Sequence, residues 1–166
     1  MSQLLSKTGV PAARNPSWPP EVVELLARVD RLLRNDRPQE ALGLLAGADT
    51  PWTRNARGVC LLRLGRTSQA IDALRDLVFC PSGFAIRPDA ETLFQANYAT
   101  ALLLDGHTDG FHSILAGIRD RAHPAVARLD DAIRRWKAGM TVWQRIGSIL
   151  GTGGPRLTLD FPPGSL

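Results

Sequence analysis

One helix–turn–helix pattern occurs three times along this chain. The segments read LLRNDRPQEALGLL, LLRLGRTSQAIDAL and LLLDGHTDGFHSIL, and they begin at Leu32, Leu61 and Leu102. Their turns are centred on Asp36, Gly65 and Gly106. A helical hairpin that recurs cannot bury its apolar face alone, so neighbouring units have to stack on one another. The repeat therefore predicts a short stacked helical array.

The residues that follow each turn also repeat. Five positions after the turns stand Ala41, Ala70 and Phe111, and four positions later stand Leu45, Leu74 and Leu115. The stretch Asn55–Leu77 is the best-formed unit, because Gly58 leaves room within its first helix and Ala70 does so on the returning helix. We expect this hairpin to be so crowded that Gly58→Leu would disrupt the packing.

Helical periodicity extends over most of the chain. It predicts helices from Pro20 to Arg34, from Pro38, and from an N-cap at Asp49-Thr50 followed by the early-turn Pro51, and a loop over residues 78–91. Asp89 is a candidate cap for the next helix, and a last helical pattern runs from Val126 to Leu150. The predicted fold class is all-α, with residues 1–19 as a flexible arm, 20–150 as the helical domain and 151–166 as an extended tail.

Composition narrows the functional classes. The hydrophobic fraction is 44%, as in ordinary folded proteins, and the net charge is +4, carried mostly by arginine. The arginines alternate with acidic residues and form no long basic run, which is typical of solvated helix faces. An anionic partner such as nucleic acid stays as the alternative, motivated by the arginines at 28, 31, 34, 37, 54, 57, 63 and 66.

No pattern of catalytic or metal-binding residues is found. His107 and His112 are five positions apart, which does not place both on one helix face. The sequence from Asp105 to Gly110 lacks the closing glutamate of a calcium loop, since Ala116 stands there. We expect no enzyme activity, no cofactor and no metal. Two separated cysteines, no signal peptide and no membrane span favour a cytoplasmic protein.

These features together resemble the tetratricopeptide-repeat family. Seven positions before each turn, where that family has a small residue, stand Val29, Gly58 and Ala99, and prolines that often end its units are matched by Pro51, Pro81 and Pro124. The turns are 29 and 41 residues apart, whereas the family repeats every 34 residues. The resemblance covers about residues 20–124 and implies an array of about three antiparallel hairpins, with a capping helix over 125–150.

The resemblance also implies a concave groove lined by the first helix of each unit. The residues it would present are Leu26, Asp30, Leu33, Arg34, Trp52, Asn55, Val59, Leu62, Arg63, Leu93, Asn97, Thr100, Leu103 and Leu104. Asn97 stands where the family holds a peptide backbone, and Asn55 is one residue off that place. Arg34 and Arg63 are candidates to pair with a carboxylate. The family's full basic cluster for a C-terminal carboxylate is absent, so that ligand class is not predicted.

The expected function is therefore an adaptor or chaperone that holds an extended peptide or a partner helix. Nucleic-acid association and a purely structural role in homo-oligomers are the alternatives. The tail RLTLDFPPGSL has three alternative places: the groove of its own chain, a neighbouring chain, or free in solution.

Overall fold

The computed structural model describes residues 19–83, 85–139 and 162–166. These ranges contain seven helices and no strand, so the all-α prediction is confirmed for them. The helices are α1 (Pro20–Arg34), α2 (Pro38–Leu44), α3 (Pro51–Arg63), α4 (Thr67–Val78), α5 (Thr92–Asp105), α6 (Thr108–Gly117) and α7 (Pro124–Gly139). Residues 1–18 of the predicted arm over 1–19, the predicted helix beyond Gly139 and residues 151–161 of the predicted extended tail lie outside the described residues.

Proline and threonine start the helices where the sequence predicts. Pro20, Pro38 and Pro51 each occupy the first turn, where the missing N–H leaves no helical bond unmade. Thr50 caps α3 through its Oγ1, which accepts from the backbone N–H of Thr53 at 3.2 Å, and the Thr53 hydroxyl oxygen accepts from the Thr50 N–H at 2.8 Å. This reciprocal pair satisfies two donors at the helix start.

The predicted cap of α5 is wrong. Glu91 precedes α5 and makes no side-chain capping bond. The Asp89 carboxylate instead pairs with the Arg87 guanidinium at 3.0 Å within the preceding loop. α5 begins at Thr92, so Asp89 lies two residues before the N-cap position, and its carboxylate bonds to the nearby Arg87.

The three turns of the sequence repeat share one backbone geometry. The residues at their centres have left-handed φ angles: Asp36 at 54°, Gly65 at 71° and Gly106 at 89°. The next backbone N–H closes each turn onto the helix before it, with N–O distances of 2.9 Å for Arg37 to Leu32, 2.9 Å for Arg66 to Leu61 and 2.8 Å for His107 to Leu102. This is the Schellman arrangement, which satisfies carbonyls at a helix end.

Equivalent positions of the repeat are also equivalently buried. The residues seven positions before each turn are buried, and so are those five and nine positions after it. They are Val29, Gly58 and Ala99 before the turns, Ala41, Ala70 and Phe111 five positions after them, and Leu45, Leu74 and Leu115 nine positions after them. Gly58 is the closest approach, since a Cβ built on it would lie 2.5 Å from Leu74 Cγ. The predicted crowding of the middle hairpin is therefore confirmed.

The core consists of two apolar clusters that meet at α3. The larger cluster contains residues of α3, α4, α5, α6 and α7. The smaller cluster packs α1 and α2 against α3 through Ala56, Val59 and Cys60. Consecutive helices from α1 to α6 pack together, and α3 also contacts α1 and α5, while α5 contacts α7. The order α1, α3, α5, α7 thus sets these four helices beside one another, and the candidate site is centred on α3 and α5.

Backbone hydrogen bonds order the loop between α4 and α5. The loop after α4 folds back through an antiparallel bridge between Phe79 and Ile86, with the Cys80 N–H donating to Ala85 O at 2.8 Å.

A side-chain hydrogen bond joins two helix ends: the Asp105 carboxylate accepts from the hydroxyl of Thr67, which ties the end of α5 to the start of α4. That bond lowers the pKa of Asp105, and a second bond from Ser68 at 3.1 Å acts in the same direction.

Candidate functional site

The side chain of Asn97 binds a peptide backbone. Asn97 lies on α5 and is 2% exposed. Its Oδ1 accepts from the backbone N–H of Ser165 at 2.9 Å, and its Nδ2 donates to the Ser165 carbonyl oxygen at 2.8 Å. One carboxamide thus satisfies both main-chain polar groups of one residue, which would otherwise lose water without a partner.

Asn55 on α3 orients this carboxamide. Its Oδ1 accepts the second N–H of Asn97 Nδ2 at 2.8 Å, and Asn55 is fully buried. Asn97 Oδ1 accepts from the Ser165 N–H, so Asn97 Nδ2 is the atom that faces Asn55. Nδ2 only donates, and the group next to it therefore has to be a hydrogen-bond acceptor. Asn55 Nδ2 has no hydrogen-bond partner among the described residues.

Val59 shapes the site beside the two asparagines. It lies one helical turn after Asn55, so both side chains lie on the same side of α3. The bound segment has Gly164 at this place, with φ 80°. A Cβ built on Gly164 would lie 3.0 Å from both methyl carbons of Val59. Backbone conformation and contact distance therefore both favour glycine here.

The bound segment Pro162–Leu166 has two further contacts. The Leu166 side chain packs against the smaller apolar cluster, which α1, α2 and α3 form. The Arg128 guanidinium on α7 donates to the Ser165 hydroxyl at 3.0 Å in an exposed position. We call the site defined by Asn55, Val59 and Asn97, together with the apolar surface under Leu166, the asparagine groove.

Several predicted groove residues lie in the core. Leu62 and Leu93 are buried in the larger cluster, and Leu103 and Leu104 pack against it. The buried Thr100 uses its hydroxyl to donate to the Ala96 carbonyl oxygen at 2.8 Å, within its own helix. The Trp52 ring packs edge-on against Phe94, with ring centroids 4.9 Å apart. The structure brings together Asn55, Val59 and Asn97 around the bound segment.

The two predicted arginines contact groups of this chain. Arg34 pairs with Asp30, one turn earlier on α1. Arg63 is half-buried and its Nη1 donates to the Leu33 carbonyl oxygen at 2.7 Å, which ties α3 to the end of α1. Burial lowers the pKa of Arg63. Its Nε has no partner among the described residues.

Sequence reasoning did not single out Arg128, Gly164, Ser165 or Leu166. The groove of its own chain was one of three alternative places for the tail, and the structure puts its last five residues against Asn97, Val59 and the smaller apolar cluster of the same chain. The signal in the sequence was weak, because Pro-Pro-Gly-Ser-Leu contains no feature that specifies an asparagine on α5. The left-handed φ of Gly164 and its contact with Val59 depend on where the segment packs in the fold, which the sequence does not show.

Metal-binding side-chain clusters and membrane-spanning helices are absent from the described ranges. These ranges contain no group of three or more His, Cys, Asp or Glu side chains that could hold a metal ion. None of the helices described is long and apolar enough to cross a membrane. Comparisons of the chain with protein-family models, with curated proteins and with solved structures find no match.

Proposed function

We propose that this protein is a helical-repeat scaffold of tetratricopeptide type that binds a peptide segment of a partner protein in the asparagine groove, as an adaptor or chaperone. The observation that carries the proposal is the pair of hydrogen bonds between the Asn97 carboxamide, as donor and as acceptor, and the backbone of Ser165. A side chain that satisfies a main-chain N–H and C=O together recognises peptide as a class of ligand, whatever its side chains.

The support of Asn97 by a second buried amide strengthens the proposal. Asn55 is fully buried on α3, next to Asn97 on α5. Its oxygen holds Asn97 in the orientation that binds backbone. Binding residues are commonly fixed by such neighbours, which lowers the ordering cost when a ligand arrives.

The repeat architecture is supported by the shared geometry of the turns. Three left-handed residues and three equivalent closing hydrogen bonds occur where the sequence repeat has its turns. The packing of α3 against both α1 and α5 is what stacked hairpins require of their first helices. Stacked units of this kind place successive first helices along one surface, and the asparagine groove uses two of them.

The arginine distribution weighs against the nucleic-acid alternative. Of the eight arginines that motivated it, Arg34, Arg37 and Arg54 pair with acidic residues of this chain. Arg57 and Arg63 donate to backbone carbonyl oxygens. A surface built for phosphate would keep these guanidinium groups available for the ligand.

The test is an array of immobilised peptides probed with the full chain. Peptides bound by the wild type should lose binding to Asn97→Ala and keep it with Asn35→Ala, a matched variant that removes an exposed amide from a turn. Melting curves establish that both variants are folded. Equal binding by wild type and Asn97→Ala would refute the proposal.

The same proteins separate the alternatives. A labelled oligonucleotide that binds at about 50 mM salt and is released steeply by about 200 mM salt would favour nucleic acid as the ligand instead.

Our proposal places the protein in the cytoplasm, where its two unpaired cysteines remain reduced.

A further inference from the structure

The segment Pro162–Leu166 has the properties of a ligand rather than of a structural element. It contains no helix, and its main chain is held by one side chain of α5. Its apolar contact is made by Leu166, whose side chain packs on the cluster formed by α1, α2 and α3. Among the described residues, Arg128 also donates to the Ser165 hydroxyl, and this contact is exposed and therefore contributes little.

We propose that Pro162–Leu166 is an internal ligand that closes the asparagine groove, and that a partner displaces it with a segment of the pattern Pro-Gly-x-Leu. This inference rests on the proposed function and names its ligand. The glycine is read by shape, because both its φ of 80° and the Val59 methyl carbons 3.0 Å from a Cβ position disfavour any side chain. The residue at x is read through its backbone by Asn97, so its side chain is free to vary.

Proline and leucine complete the pattern. The chain bends at Pro163, immediately before the left-handed Gly164, and Pro-Gly is the residue pair that favours such a bend. Proline also reduces the entropy that the free peptide loses on binding. Leucine two positions after the glycine supplies the apolar contact with the smaller cluster.

Covalent attachment makes the internal ligand an effective competitor. Pro162–Leu166 belongs to the same chain as the groove. Ligands held within one chain reach effective concentrations on the order of 1 mM. For a segment whose intrinsic dissociation constant is about 0.1 mM, the groove is then closed about ten times as often as it is open, and an external ligand binds about tenfold more weakly than it would to an open groove.

The experiment opens the groove without altering it. In full-length Gly164→Val the internal segment no longer fits against Val59, while Asn55, Val59 and Asn97 are unchanged. The probe is a fluorescent PPGSL peptide with an amidated C-terminus, and PPVSL is its matched control. Binding is followed by fluorescence anisotropy.

We expect PPGSL to bind Gly164→Val about tenfold more tightly than it binds the wild type, and PPVSL to bind neither. Adding Asn97→Ala to Gly164→Val should abolish binding. A probe with N-methylserine, which lacks the N–H that Asn97 accepts, should also fail to bind, and this arm needs no change in the protein.

Each contrary result overturns a stated part. Equal affinity of PPGSL for wild type and Gly164→Val refutes internal competition, and equal binding of PPVSL refutes the selection of glycine; both leave the proposed function standing. Binding that is insensitive to Asn97→Ala and to N-methylation refutes the proposed function itself. If light scattering shows a wild-type dimer that Gly164→Val converts to a monomer, the segment belongs to a second copy and the internal assignment is wrong.

Discussion

The contact between Gly58 and Leu74 gives a stability prediction with a built-in control. A Cβ at Gly58 would lie 2.5, 2.6 and 2.9 Å from Leu74 Cγ, Cδ2 and Cδ1, and Leu74 is fully buried. Because the branch carbon itself is too close, rotation of the leucine end does not relieve the contact. Overpacking of this kind costs about 1–3 kcal/mol.

Gly43→Ala is the matched control. Gly43 is also in a helix, but nothing lies within 4 Å of a Cβ built on it. Replacing a helical glycine by alanine gains roughly 0.5–1 kcal/mol in backbone entropy, and this gain is common to both variants. The difference between Gly58→Ala and Gly43→Ala should therefore be about 1–3 kcal/mol, which corresponds to roughly 2–4 °C per kcal/mol in melting temperature.

Urea unfolding of both variants measures the difference directly. The same pair in a Leu74→Ala background provides the second half of a double-mutant cycle. With the leucine removed, the Gly58→Ala substitution should no longer be destabilising, although Leu74→Ala itself loses about 2–5 kcal/mol. If Gly58→Ala is as favourable as Gly43→Ala, or costs the same with and without Leu74, the hairpin is not packed as described.

Single contacts give three further predictions. Gly65→Ala should destabilise by about 1–2 kcal/mol in thermal unfolding, although nothing lies within 4 Å of its Cβ position, because its φ of 71° strains any side chain; a neutral result would show that the turn relaxes. The lowered pKa of Asp105, caused first by the Thr67 hydroxyl, stabilises the fold above the unfolded pKa of about 4 and loses this contribution as pH falls through the folded pKa. Asp105→Asn should accordingly cost stability at about pH 7 and progressively less below pH ~4, as read from urea curves; a pH-independent difference would contradict the assignment. With a thiol reagent, the half-buried Cys80 should react quickly and the buried Cys60, whose pKa burial raises to about 12, only upon unfolding; two fast thiols in the native protein would show that Cys60 is accessible.

Much of the helical architecture could be predicted from local sequence. The proline starts of three helices, the Thr50 cap and the left-handed turn centres all arise from interactions within a few residues. Asp89 shows the limit of that reasoning: capping was a reasonable expectation, but Arg87 lies equally near and takes the carboxylate. Local sequence contains both partners without saying which contact is made.

Periodicity also located the interior, although it did not distinguish core from groove. Leu62, Leu93 and Thr100 were predicted to face a ligand and are buried, because a helix with neighbours on several sides buries more than one stripe. Asn55 and Asn97 were both among the predicted groove residues, yet their contact joins residues 42 positions apart, and the contact of Asn97 with Ser165 spans 68 positions. No periodicity reports such distances.

The sequence by itself determined the helices, their turns and the small residues that allow close packing, because each depends on backbone preferences and on spacing along one helix. Only the tertiary structure decided that the two asparagines meet, that Asn97 turns its amide toward a peptide backbone, and that the chain's own glycine and leucine occupy the groove. Those outcomes depend on which helices become neighbours and on what space remains between them. That space is set by how all the helices pack together, which no local stretch of sequence specifies.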